Sequence, residues 1–409
     1  EYSPDEEERN WLTKATEQRY YDLIANEDYR REMFRERAEN WLSLSHKKDS
    51  TLAKLLTKNP LFIHEAYYET ELDDLAEKVL KNYAVGKLLI AGDNRFLSAD
   101  LISFLYYLVQ PYASVSEKAY RLQMSLYREM LKDSEIYAPG AAYDSQERYT
   151  LLRNPHIARN EEVLVKPTKE EKHSLRDLYL SHLTDVVMVS STALIAERLG
   201  GADYDGDMIK TIAEPILNDC VMQNYAGADY AISNQMALPL LQIPSADPLI
   251  HNAGDWYARF EAIRNTFSSR VGQISNAALD RSIIAYDENI DSETKEKCRQ
   301  ETETLAILTG LEIDSAKSGI KPDLSEYLSK KKIKRSSFLK YKTILESSEV
   351  RRPWYEPTFD EQFKEYFGST DWQGVSSNLE KLPYYAQMLK KNTPKAKRKP
   401  AKASELFTF

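Results

Sequence analysis

The sequence predicts an α+β fold, with a mostly β unit carrying inserted helices and flanked on both sides by helical regions. Three observations lead there. Between residues 84 and 215, short apolar, β-branched runs are bounded by Gly, Pro, Asn and Asp, the pattern of strands and turns. On either side the apolar spacing lengthens to that of helices. An apolar content of 42% over 409 residues is enough for the cores of two or three domains.

Taken in order, residues 1–83 read as a helical scaffold rich in Glu, Arg, Leu and Tyr. Its aromatics Trp11, Tyr20, Tyr21, Phe34 and Trp41 recur at loose helical spacing, which predicts core positions. Lys87-Leu88-Leu89-Ile90-Ala91 predicts a strand that ends at the turn signal Gly92-Asp93-Asn94. Ser98 then caps a helix whose Leu101, Ile102, Leu105, Leu108 and Val109 form one stripe, stopped by Pro111. A second helix runs from about Ser116 to Lys132, and residues 138–141 are a loop. Residues 149–166 predict two strands around a proline-containing turn, and Val186-Val187-Met188-Val189 a further strand, so that 84–215 forms the β unit. Residues 216–330 return to helix, with one long amphipathic segment from Asp255 to Tyr286 and another from Ser292 to Leu311. Residues 331–409 form a basic C-terminal region whose end, rich in Lys and Pro, predicts disorder.

The net charge of −9 argues against a general nucleic-acid binder, but the charge is uneven. Lys330, Lys331, Lys332, Lys334 and Arg335 stand in a stretch without acids, and more lysines follow near the end. Such a run is either a solvated face or a track for a phosphate backbone. Cys220 and Cys298, far apart, make neither a disulfide framework nor a zinc site and predict buried small hydrophobes. There is no run of some twenty apolar residues, and Glu-Tyr-Ser-Pro is no leader, so an intracellular, cytoplasmic protein without a membrane segment is expected. The missing initiator methionine suggests a piece of a longer polypeptide.

The stretch with the clearest chemistry is Gly200-Gly201-Ala202-Asp203-Tyr204-Asp205-Gly206-Asp207-Met208-Ile209. Alternation in an extended chain puts Asp203, Asp205 and Asp207 on one face, and Gly206 lets the backbone bend them around a point. Three carboxylates that close repel one another unless a cation sits among them. A hard divalent cation such as Mg²⁺ takes oxygen ligands and completes its shell with water or phosphate. Two other possibilities stay open at this point. One is a solvated acidic turn, against which the apolar flanks Val186–Val189 and Met208-Ile209 speak. The other is a calcium loop ending at Glu214, whose sixth position, which should be glycine, is Met208.

Three pieces together resemble the two-barrel RNA polymerases, which include cellular DNA-directed enzymes, the RNA-directed polymerases of silencing and single-chain phage relatives. The first is the aspartate loop, similar to that family's D-x-D-G-D. The second is Leu152-Arg153-Asn154-Pro155-His156-Ile157-Ala158-Arg159, similar to its arginine-and-proline turn. The third is Val271-Gly272-Gln273-Ile274-Ser275-Asn276, with Leu305-Ala306 and Asp314-Ser315-Ala316-Lys317-Ser318-Gly319, an order most like the silencing-type RNA-directed branch.

The resemblance implies a double-psi β-barrel over 84–215 and templated RNA synthesis from nucleoside triphosphates, with an RNA template slightly favoured over a DNA template, which a phage-type enzyme with similar signals would use. It implies Mg²⁺ held by Asp203, Asp205 and Asp207, a ribose contact from Arg153, a share of that role for Asn154, and His156 in local structure. Lys317 would contact phosphate or cap its helix. In the cellular subunit an asparagine precedes the alanine of the loop where this chain has Gly201, so ribose selection would lean on Arg153. The family's second barrel, which binds the nucleotide phosphates, has no strand signals upstream of residue 84. A partner subunit or an absent portion of the polypeptide is therefore expected to supply it. The alternatives are another Mg²⁺-dependent phosphoryl transferase or nuclease, and a non-catalytic nucleic-acid-binding scaffold whose acidic loop holds a structural cation.

Overall fold

A computed structural model of the chain describes residues 6–39, 45–140, 148–168, 174–224, 252, 254–266, 269–287, 289–318, 320–328, 365, 368–369 and 381–394. The chain divides into two compact units, one made of residues 91–334 and the other of residues 3–90 with 335–409.

The second unit is helical among its described residues. It comprises α1 (Glu6–Ala25), α2 (Glu27–Glu39), α3 (His46–Lys58) and α4 (Ala66–Ala84), with a helix from far along the sequence, Leu382–Asn392, packed on α4. Tyr20, Phe34, Phe62, Tyr68, Leu72 and Tyr83 fill its core. Of the aromatics expected there, Trp11 and Tyr21 are instead exposed, because each stands on the solvent side of α1, and Trp41 lies outside the described residues. The run at 87–91 is not a strand either. Leu88 packs against the helical core and the Leu89 amide donates to the Thr16 hydroxyl, so local apolarity is spent on closing this unit.

The first unit holds a closed barrel of six strands, β1 (Gly92–Ala99), β2 (Glu135–Tyr137), β3 (Tyr149–Leu152), β4 (Val163–Pro167), β5 (Val186–Val189) and β6 (Met208–Ile212). Their order around the barrel is β1-β5-β2-β4-β3-β6, with β1–β5 and β2–β4 parallel and the other pairs antiparallel. The chain is thus α+β with a closed barrel, as the resemblance implied. Leu97, Ile136, Leu151, Val163, Val165, Val187, Val189 and Ile209 fill the interior, which in so small a barrel has room for side chains only. β5 is buried on its outer face as well, where Met188 packs with Leu131 and Tyr137, and that is why its sequence is apolar throughout.

The first strand begins at Gly92, where a turn was expected. Gly92 has φ of +149°, and a Cβ there would meet the Thr211 carbonyl oxygen at 2.3 Å, so only glycine lets β1 lie against β6. Helix α5 (Leu101–Ala113) is capped by Asp100, not Ser98: the buried Asp100 carboxylate accepts from the Ile102 amide, the Ser103 hydroxyl, the Leu131 amide and Arg176. Pro111 falls inside α5 rather than ending it, and Leu105 and Leu108 are exposed. Helices α6 (Glu117–Glu129), α7 (Leu175–Leu180) and α8 (Ile195–Arg198) complete the insertions.

Beyond the barrel come α9 (Pro215–Asn224), α10 (Trp256–Thr266), α11 (Val271–Ala285) and α12 (Ser292–Ser318). The segment expected to be one helix from Asp255 to Tyr286 is therefore two, and the exposed Trp256, Phe260 and Ile263 lie on the first. Cys298 is buried and Cys220 half-buried.

Candidate active site

The aspartates stand between α8 and β6, on a loop whose two ends are sunk in the barrel core. Leu199 and Ala202 before the trio, and Ile209 after it, belong to the same apolar cluster. Two hydrogen bonds fix the ends further, from the Ala202 amide to the Ala196 carbonyl at 3.2 Å and from the Leu97 amide to the Asp207 carbonyl at 2.8 Å. Burial at both ends leaves the polar middle at the barrel rim, and Gly206, at φ of +124°, permits its turn.

One carboxylate oxygen from each of Asp203, Asp205 and Asp207 lies within 4.8 Å of the others. A hard divalent cation holds its oxygens at about 2.1–2.6 Å, so oxygens sharing one are up to about 4–5 Å apart, and the donor set suits such an ion. The carboxylates orient one another through the backbone. Asp207 Oδ2 accepts from the Asp203 amide at 3.0 Å, and Asp203 Oδ1 accepts from the Asp205 amide at 3.2 Å. Glu214 is not in this group; its carboxylate accepts from the Ile216 amide at the start of α9, which leaves a calcium loop without its twelfth ligand.

Arg153, expected beside the site, is brought there from the end of β3. Its Nη2 donates to Asp207 Oδ1 at 3.1 Å and its Nη1 to the Gly200 carbonyl at 3.1 Å. Both charged side chains are about one-fifth exposed. Asn154 follows it on the same turn, exposed and joined to Pro155 by a cis peptide bond. His156 pairs with Glu162 at 3.5 Å; burial pushes its pKa down, but the Glu162 hydrogen bond and the neighbouring carboxylates outweigh that and hold it above the ordinary value. Lys317 belongs to the last turn of α12, with its side chain outside the described residues, as are Lys330, Lys331, Lys332, Lys334 and Arg335.

Two residues that sequence reasoning passed over help to assemble the site. Glu161 is buried, its Oε2 accepting from the Ile157 and Ala158 amides at 2.7 and 3.0 Å, and burial first of all raises its pKa. Arg198 is buried at the end of α8 and donates to the Asn160 and Glu162 carbonyls at 3.2 Å each, tying the approach to the aspartate loop to the Arg153 turn. A lone arginine among Ile195, Ala196 and Leu199 was the one signal available.

No curated protein matches the chain. Among solved structures it is similar to the RNA dependent RNA polymerase QDE-1 from Thielavia terrestris, at 13% identity and a TM-score of 0.37, over 86% of this chain and 42% of that one. The chain thus spans less than half the length of that structure. The family model described as RNA dependent RNA polymerase matches residues 144–386, which take in β3 to β6, the Arg153 turn, the aspartate loop and the helices beyond. That span is more than half of the chain, and the chain belongs to the RNA dependent RNA polymerase family.

Proposed function

We propose that this chain carries the aspartate-bearing catalytic part of an enzyme that extends an RNA 3′ end from nucleoside triphosphates on an RNA template. The observation that carries the proposal is the convergence of three carboxylates with an arginine from a distant strand, within a span matched by the polymerase family. Asp203, Asp205 and Asp207 would hold Mg²⁺, which when bound stabilises the attacking and leaving oxygens of an in-line displacement. The protein's own work is then positional. The barrel core fixes both ends of the loop, and the backbone amides of Asp203 and Asp205 turn the carboxylates toward one another. Arg153 offers a planar guanidinium with donors suited to a sugar hydroxyl, with Asn154 next to it.

Lys317 is assigned to the nucleotide phosphates, and Lys330, Lys331, Lys332, Lys334 and Arg335 to a nucleic-acid backbone. The described strands all enter one barrel, so the family's second barrel is assigned to a partner subunit or to another portion of the polypeptide. Among the described residues no helix is long and apolar enough to cross a membrane. An enzyme consuming nucleoside triphosphates works where they are, in the cell interior, and we assign it to the cytoplasm.

The test is primer extension by the native protein with whatever co-purifies, on RNA and on DNA templates, beside Asp205→Asn. Several kcal/mol of transition-state stabilisation rest on the metal, so the variant should lose at least about a hundredfold in incorporation while keeping its melting temperature. Incorporation that survives in Asp205→Asn, or single-strand cleavage with no templated extension, would sink the proposal; a preference for the DNA template would correct its choice of template.

A further inference from the structure

Arg153 touches the aspartate loop at both of its ends. Nη1 holds the carbonyl of Gly200, where the loop begins, and Nη2 holds Asp207, where it closes onto β6. Asp207 passes that restraint on, because its other oxygen accepts from the Asp203 amide, and Asp203 in turn accepts from Asp205. Behind the arginine sits Glu161. One of its oxygens is taken by the Ile157 and Ala158 amides, while the other lies 3.0 Å from where a Cβ on Gly200 would stand. Gly200 is at φ of +66°, so a side chain there would strain the backbone and crowd the Glu161 oxygen. Arg153 Nη1 lies 3.9 Å from the same Cβ position, so the carboxylate and the guanidinium both stand over Gly200, and their attraction is the smallest of the influences on Glu161.

We propose that Arg153, backed by Glu161, is a positioning residue that clamps the aspartate loop from Gly200 to Asp207, so that divalent-cation binding depends on the two-armed guanidinium as well as on the three carboxylates. The proposal rests on the loop being the metal site. It goes beyond a sugar contact for Arg153, because it gives the side chain work before any nucleotide arrives. Residues that orient a metal's ligands change its affinity about 10–100-fold when altered. A lysine keeps the charge, but its three donors radiate from one nitrogen and cannot span a carbonyl and a carboxylate in the fork geometry of arginine. Arg153→Lys therefore separates the clamp from the simple presence of a cation.

Calorimetric titration of Mn²⁺ into the full chain, with no nucleotide present, reads this directly. Arg153→Lys should weaken binding about tenfold with an unchanged melting temperature. Glu161→Gln, which keeps the acceptors but removes the charge, should weaken it in the same direction by less. Affinity within about twofold of wild type in Arg153→Lys, with only the KM for nucleotide raised, overturns the clamp and leaves Arg153 a nucleotide contact. If Arg153→Lys does not fold, Glu161→Gln decides alone, and unchanged Mn²⁺ affinity there overturns the proposal. A wild-type chain that binds no Mn²⁺ overturns instead the metal reading on which the proposed function stands, and that result is read before any variant is made.

Discussion

The two cores of this protein are filled with different materials. The apolar residues of the barrel core are aliphatic apart from Tyr149, whereas the helical unit packs Tyr20, Phe34, Phe62, Tyr68 and Tyr83 at its centre. A closed barrel of six short strands has a fixed, narrow inside that branched aliphatics fill. Helices packed at roughly 8–10 Å leave deeper and less regular gaps, which rings fill, and a buried tyrosine must then find a partner for its hydroxyl. Tyr68 donates to the Leu52 carbonyl at 2.8 Å and Tyr83 to Glu17 at 2.7 Å, both within the same unit. Only the barrel core includes residues that flank the aspartates, namely Leu199, Ala202 and Ile209. Packing errors in the barrel should therefore reach the site, while those in the helical core should stay a matter of stability.

The largest effect is expected from Ile209→Ala, two residues after Asp207 and fully buried. Removing that much core volume costs about 3 kcal/mol, and the cavity opens directly under the end of the loop. Hydrogen exchange read peptide by peptide should show the barrel strands destabilised, and Mn²⁺ binding should weaken with them. Unchanged Mn²⁺ affinity despite a destabilised barrel would remove the distinction between the two cores.

A smaller effect sharpens the comparison from within the first unit, where α11 and α12 are joined by charge as well as by apolar contact. Arg270 grips Glu312 through Nε and Nη2, its own backbone amide donates to the same carboxylate at 2.8 Å, and Nη2 also reaches the Pro322 carbonyl. Burial alone would raise the Glu312 pKa, but the Arg270 hydrogen bonds outweigh it and hold it below the ordinary 4.5. A carboxylate with a lowered folded pKa contributes stability that is present above 4.5 and lost as pH falls through the folded value. Glu312→Gln should cost about 2 kcal/mol at neutral pH and flatten the acid limb of the α11–α12 stability curve. A variant that keeps the wild-type acid limb would assign that limb to other carboxylates.

How far the sequence foretold this molecule depended on the range of the interactions involved. The aspartate trio was legible because its alternation is a local pattern, with Asp203 and Asp205 touching two residues apart, and β5 because burial on both faces leaves an unbroken apolar run. Arg153 came from the resemblance of its turn, not from any local chemistry. The start of β1 was misread because pairing with β5 and β6, far along the chain, decides it, and glycine at 92 looked like a turn when it was a close approach. Ser98 looked like a cap because nothing local reveals that Asp100 also serves Leu131 and Arg176. Glu161 and Arg198 escaped for the same reason. The groups that give them meaning, Gly200 for the one and the 160–162 backbone for the other, are brought near only by the fold.

The smallest expected effect lies in the helical core. Tyr83 is fully buried, and burial first, then its hydrogen bond to Glu17, pushes its pKa well above the ordinary 10.0; Tyr68 is raised to about 12, chiefly by burial. A group whose folded pKa is raised gives stability that is whole below its unfolded pKa and drains away as pH climbs from there toward the folded value. The helical unit should thus lose stability above about pH 10, where an unfolded tyrosine ionises and a buried one does not. Tyr83→Phe keeps the ring and the packing and removes one hydrogen bond to a half-exposed carboxylate, which should cost about 1 kcal/mol at neutral pH. Because the phenylalanine has no proton to lose, the variant's disadvantage should shrink as pH rises past 10, in exchange protection of α1 and α4, with Mn²⁺ affinity unchanged throughout. Should Tyr83→Phe weaken Mn²⁺ binding as Ile209→Ala is expected to, the helical core would share in shaping the site and the contrast between the two units would fail.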